Sequence, residues 1–216
     1  AEAFVPDNSI TRWGIFTLQS YRLGKVEIEA AGRYEHVTVK AEPADFRRGF
    51  ALWSGALGLS YVLSDGLKLG ANYTRGARAP APEELLSDGL HVATQAFERG
   101  NPGFRSETSD GFEAYLRYDG DRASFSLTGY VTRFGNFIAA LPTGEEQEGF
   151  PVFQYAQLPA RFQGFEASAS VKALRWEGGA LTLDGSADYT NAELKGIGPA
   201  PRIPPLRLRG GAEVQQ

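Results

Sequence analysis

Few side chains in this 216-residue sequence could make bonds or hold a charged ligand, and their types narrow the chemistry. There are two histidines, His36 and His91, and no cysteine, so disulfides, thiolate catalysis and sulfur-ligated metals are excluded. A hydrolytic relay needs a histidine beside a nucleophile and an orienting carboxylate. No such combination falls at recognisable spacing around either histidine. The glycines of GALGLS (Gly55 to Ser60) lie inside an alternating run and do not open a helix as a phosphate-binding loop must. The sequence therefore reads as a non-enzyme. Two charged groupings remain. Glu145, Glu146 and Glu148 crowd the tip of TGEEQEG and could attract a cation. Arg207 and Arg209 share one face, with Arg202 close by, and could line a path for an anionic ligand such as a metal chelate or pair with carboxylates. The net charge of -4 and the lack of a basic run exclude general nucleic-acid binding.

These groups must be positioned by strands. From Leu67 to Thr74 apolar and polar residues alternate strictly, the side-chain period of a pleated strand. The alternation recurs at Val26–Glu35, Ala51–Tyr61, Phe112–Tyr118, Ala123–Thr132, Phe165–Lys172, Leu181–Thr190 and Leu206–Val214, with an opening strand near Thr11–Tyr21. This predicts about nine strands of roughly ten residues, the length that crosses a bilayer when tilted. The connections alternate between two kinds. Tight glycine-bearing turns are expected at Arg22–Gly24, Ser64–Gly66, Asp119–Asp121 and Glu177–Gly179. Long excursions are expected at His36–Phe50, Arg75–Ser106, Gly135–Ala160 and Asn191–Pro205. Within them, Pro82 is placed to start one helical turn in PAPEELL, and the runs flanking TGEEQEG extend as a hairpin. All turns on one rim and all loops on the other describe an antiparallel up-and-down sheet of the outer-membrane type.

Face chemistry agrees. Glu27, Glu29, Arg33, Glu113, Arg117, Glu166, Asp184, Asp188, Arg207 and Arg209 fall on one set of faces, and the opposite set is nearly uncharged. A charge facing lipid at the midplane costs about 2–4 kcal/mol, so the charged set belongs in a wet lumen. Tyr34, Trp53, Tyr61, Tyr73, Tyr118 and Tyr189 near strand ends suit interfacial girdles. A water-borne sheet with one dry face is the competing architecture. The fold class expected is all-β: a transmembrane barrel, here partial.

Several segments resemble the TonB-dependent outer-membrane receptors. TRGARAPAPEELLSDG followed by FERGNPGFRSETSDGFEAYLRY is similar to the family's arginine-and-proline loop, its G-N-P and the glutamate-bearing strand behind it. GYVTRFGNFIAAL, PARFQGFEASAS and DYTNAEL with PRIPPLRLRGGAEV follow in the family's order, from Leu67 to Val214. RSETS has serine where the family commonly has proline. The resemblance implies an outer-membrane location and active import of a scarce solute, a metal ion or a siderophore-type metal chelate. The energy would come from the TonB complex acting on a plug within the barrel. Residues 1–216 would be a barrel region without plug or TonB box, and GAEVQQ lacks the aromatic end of a closing strand. GLHVATQAFERGNP looks most like the subgroup associated with zinc. That likeness makes His91 a metal-ligand candidate, with Glu98, Glu83, Glu84 and Asp88 as carboxylate candidates, Arg99 beside them, and His36 a second metal candidate from another loop. Zinc needs three or four such ligands. The partners implied are lipid, TonB and a small solute, with zinc or an iron chelate as cargo and no resident cofactor. A passive porin-like barrel and a soluble binding module are the alternatives.

Overall fold

A computed structural model describes residues 4–215, the side chain of Pro43 aside. Nine long strands run antiparallel: β1 (Ser9–Leu23), β2 (Val26–Ala41), β3 (Phe46–Ser64), β4 (Leu67–Arg78), then, after a loop, β7 (Glu107–Asp119), β8 (Ala123–Gln147), β9 (Phe150–Trp176), β10 (Gly179–Leu194) and, last, β12 (Arg207–Gln215). The loop between β4 and β7 holds α1 (Pro82–Leu86) and the hairpin β5 (Asp88–His91) and β6 (Ala96–Arg99). The two-residue β11 (Gly198–Pro199) pairs with β10. The sheet order is β1-β2-β3-β4-β7-β8-β9-β10-β12, a partial, unclosed barrel wall.

Registered pairs put like residues in rows. Tyr61, Leu69, Leu116, Leu127, Ala167, Ala187 and Leu208 form one row on the outer face. The next row, one residue along each strand, is Glu27, Ser60, Gly70, Tyr115, Thr128, Glu166, Asp188 and Arg207, all on the inner face. The outer face is not covered by protein: Trp53 is 70% exposed, and Leu57, Leu59, Tyr73 and Phe112 are also open. No helix among the described residues could cross a membrane, and the crossing is made by strands. Tyr21 to Trp13 along β1 and Tyr61 to Trp53 along β3 cover about 20 Å of height at about 3.3 Å per residue and the usual tilt. That fits an apolar band between aromatic girdles.

Two expectations are corrected. The excursion His36–Phe50 is mostly strand, with a short turn, Glu42–Ala44, between β2 and β3. The alternation continues there but changes phase. Up to Tyr34 the apolar residues of β2 point outward, whereas Val37 and Val39 point inward and are buried, as are Phe50 and Leu52 on β3. Below the change, the outside is hydrocarbon; above it, the outside is water and the apolar environment lies within. The inner partner is the loop: Val37, Val39, Phe50 and Leu52 pack with Leu85, Phe104 and Ile138 in the molecule's hydrophobic core. The second correction concerns the turns. Gly24, Gly66 and Gly178 have the positive φ expected of them, but Gly120 does not. There a Cβ would meet the hydroxyl end of the Tyr118 side chain, so the glycine answers to a close side-chain neighbour rather than to a positive φ.

Candidate functional site

The loop from Ala79 to Ser106 folds inward over the sheet because its own groups lock it there. Pro82 occupies the first turn of α1, and the Ala81 N–H donates to Glu84 Oε2 at 2.8 Å. Arg78 donates through both Nη atoms to Glu84, at 2.8 and 2.9 Å, and through Nε and Nη2 to Glu107, at 2.9 and 3.0 Å. Glu107 is buried and also accepts the Ile138 N–H at 2.8 Å. Burial opposes the charge on Arg78, but the two carboxylates outweigh it and hold its pKa above the ordinary value. The Gly100 N–H donates to Ser87 O and the Asn101 N–H to Glu84 O, at 2.7 and 2.9 Å. A Cβ on Gly100 would lie 2.7 Å from the Leu85 carbonyl carbon and the Leu86 nitrogen. Gly100 and Asn101, quoted above for their resemblance, are thus the clasp that seats α1, while the Pro102 carbonyl accepts from Arg48 on β3.

Beyond the end of β10 the extended β9 would have a free edge. β6 fills it in parallel, Phe97 opposite Val152 and Arg99 opposite Gln154. Arg99 donates to Glu145 Oε2 at 3.0 Å and to Gln147 Oε1 at 2.9 Å, fastening β6 to the β8–β9 hairpin. Gln154 Nε2 donates to the Arg99 carbonyl at 3.0 Å.

A cavity of about 540 Å³ lies between this hairpin, the upper β8–β9 strands and the segment after β11. Glu98 is its buried centre. His91 Nδ1 lies 2.9 Å from Glu98 Oε1, and because a carboxylate only accepts, that nitrogen carries the proton. Thr94 Oγ1 donates to the same oxygen at 2.9 Å, and Tyr155 Oη donates to Oε2 at 2.9 Å. Burial pushes the Glu98 pKa up, but the hydrogen bonds from His91, Tyr155 and Thr94 together bring it below the usual value. Burial and the adjacent Glu98 push the Tyr155 phenol well above its usual range. Phe4 stacks on His91 with ring centroids 4.2 Å apart. Glu83, Arg202, Phe137, Phe153 and Phe162 complete the polar and aromatic lining.

The structure thus brings Glu83, His91 and Glu98 to one cavity and leaves the other candidates outside it. Glu84 is engaged with Arg78, and Arg99 with Glu145 and Gln147. Asp88 is exposed at the start of β5, its N–H donating to Phe4 O. His36 lies within β2, in the outward row with Trp13 and Ala51, its ring 5.8 Å from that of Trp13. The two histidines do not converge. Arg207 pairs with Asp188 at 2.7 Å, so it neutralises an inner-face carboxylate, whereas Arg202 reaches the cavity. Among the described residues no three histidine, aspartate or glutamate groups are grouped to hold a metal ion. The zinc-subgroup expectation therefore finds no ligand set here. Sequence reading missed Thr94 and Tyr155; only the alternation on both sides of TGEEQEG hinted that Tyr155 stands on a strand above the membrane.

The profile described as "TonB dependent receptor-like, beta-barrel" matches residues 2–214. The chain belongs to this family of β-barrel proteins of the bacterial outer membrane. Among solved structures, the copper transporter OprC superposes with a TM-score of 0.83 at 22% identity, over 97% of this chain and 33% of that one. The FrpB iron transporter from Neisseria meningitidis (F3-3 variant) gives 0.65 at 15%, over 88% of this chain and 27% of that one. The ferric-catecholate import receptor Fiu from E. coli K12 gives 0.65 at 13%, over 93% and 31%. The chain spans between about a quarter and a third of the length of these proteins. These likenesses are of fold, and the three proteins transport copper, iron and ferric catecholate; none of the three supports zinc.

Proposed function

We propose that this chain supplies wall and outer loops to an importer, which captures a metal chelate at the Glu98 cavity and passes it inward with energy from TonB through a plug. The observation that carries the reading is the convergence of Glu83, His91, Glu98 and Tyr155 with Phe137, Phe153 and Phe162 in one cavity on the loop rim. Two carboxylates against one guanidinium favour a ligand presenting cationic or hydrogen-bond-donor groups. The aromatic lining favours one with an organic surface. A naked ion would find only the His91–Glu98 pair, with Nδ1 already bonded, short of what zinc needs. The metal is cargo, enclosed in its chelator.

A specific feature supports a filled lumen over an open pore. Phe16 and Leu18 lie in the same rows as Arg33 and Ala31, on the inner face of β1, and are 77% and 63% exposed. Apolar side chains this open in a lumen favour a packed partner there, the place of a plug. The test is uptake of labelled metal chelates by cells carrying the full membrane protein, with and without TonB. Import should need TonB and should fall about tenfold or more in Glu98→Gln and Tyr155→Phe. Zinc titration of the purified protein should release little heat and be unchanged by His91→Ala. TonB-independent ion conductance would instead establish the passive barrel.

A further inference from the structure

The cavity holds two opposite charges that do not meet. Glu83 on α1 and Arg202 on the loop between β10 and β12 both line it, and both side chains are exposed. Among the described residues neither makes an ion pair or a side-chain hydrogen bond. Each is held on a firm support. The Gly100 and Asn101 N–H groups clasp α1. The loop is fixed to the wall by the Lys195 N–H on the Pro159 carbonyl and the Ala200 N–H on the Ala192 carbonyl, both at 2.9 Å. Pro199, Pro201, Pro204 and Pro205 stiffen it further.

Arg202 keeps a backbone conformation that its side chain disfavours. Three residues of this loop are left-handed: Gly196 at φ 81°, Gly198 at 119° and Arg202 at 62°. Two of them are glycine, and a left-handed turn residue directly after a proline is ordinarily glycine or asparagine too. An arginine there stores strain that a merely structural turn has no reason to keep. What it brings is a guanidinium at the cavity, able to hold a carboxylate through two parallel N–H donors. Glu98 already accepts from three donors, so Glu83 is the carboxylate with open lone pairs. Its charge adds to the burial and the Glu98 charge that raise the Tyr155 phenol, which puts Glu83 near the same centre. An unjoined cation and anion in one cavity match a ligand that carries both signs. We infer that the chelator captured here is an amino-carboxylate, its carboxylate groups held by Arg202 and its ammonium group by Glu83. The inference rests on the cavity being the capture site and specifies the class of ligand it takes.

Calorimetric titration of the whole purified membrane protein with the copper(II) complex of Nα,Nα-bis(carboxymethyl)lysine tests this, because that complex carries carboxylates and a free ammonium. Arg202→Gln should weaken binding about tenfold or more, and Arg202→Lys should restore part of it. Arg202→Gly relaxes the backbone and should weaken binding as much, whereas a structural arginine would leave it unchanged. Glu83→Gln should weaken this complex about fivefold and leave its Nε-acetylated form unaffected. Heat-modifiable gel migration confirms that each variant is folded. Full affinity in the folded Arg202→Gln and Arg202→Gly variants overturns the inference. So does equal affinity of the unaltered protein for copper(II) triethylenetetramine, which has no carboxylate. A ferric tricatecholate that binds, weakens with Tyr155→Phe and ignores Arg202→Gln leaves the capture site standing and overturns only the amino-carboxylate assignment. Binding of none of these chelates overturns both.

Discussion

Glu98 gathers three hydrogen bonds from residues separated widely in sequence, and that makes it the side chain whose replacement should be felt most. Glu98→Gln removes the charge that orients His91 and Tyr155 and should loosen the β5–β6 hairpin by about 1–3 kcal/mol, seen as faster proteolysis within residues 88–99. The sign of the pH effect follows from its lowered pKa. A carboxyl titrating lower when folded contributes stability that is complete above its unfolded pKa of about 4.5 and is lost as pH falls through the folded value. The loop should therefore stay protected at pH 7 and become protease-sensitive only below about pH 4.5, and Glu98→Gln should abolish that transition. Arg78→Met leaves buried Glu107 without its cation while Glu84 loses its bidentate partner. Discounted for the half-exposed guanidinium, the cost should be about 1–3 kcal/mol, read as release of α1 in hydrogen exchange. None of this was visible along the chain. The resemblance pointed to Glu83, His91 and Glu98, but no spacing rule tells that Glu84, next to Glu83, turns to Arg78, or that Tyr155 arrives from another hairpin.

At the scale of elements, glycine positions discriminate between tight packing that can yield and packing that cannot. A Cβ on Gly70 would meet the free end of the Tyr115 side chain, which can swing into the lumen. A Cβ on Gly164 would collide with the Tyr189 backbone carbonyl and lie 2.8 Å from Tyr130 Oη, which bonds Thr190 Oγ1 across that glycine at 2.6 Å. Gly164→Ala should therefore cost about 1–3 kcal/mol and Gly70→Ala much less, measured by denaturant titration of the refolded barrel. Strands and short turns were largely legible, because period-two patterning reports a face whose environment is uniform from end to end. The prolongations of β2, β3, β8 and β9 were harder. At Tyr34 the surroundings exchange, lipid giving way to water outside and polar lumen to packed loop inside, so the apolar phase shifts by one residue. A rule seeking unbroken alternation stops there, although the strand does not.

For the whole molecule, the decisive property is that hydrophobic residues cover its outside. Leu57 stands between the girdle residues Trp53 and Tyr61 on β3 and points outward. Leu57→Arg should destabilise the membrane-embedded barrel by about 2–4 kcal/mol, the midplane cost of a charge. Thr128→Lys, on the inner face in the row of Glu166, should be nearly neutral, and the pair of measurements checks which face meets lipid. The parallel joint between β6 and β9 bears on how the protein assembles. Phe97 must find Val152, more than fifty residues later, while every neighbouring long strand closes through a nearby turn or loop. Such a distant pairing pays its closure entropy late. The wall should therefore zip up strand by strand with the recognition loop still fluid, and the mouth of the protein should be the last region to set.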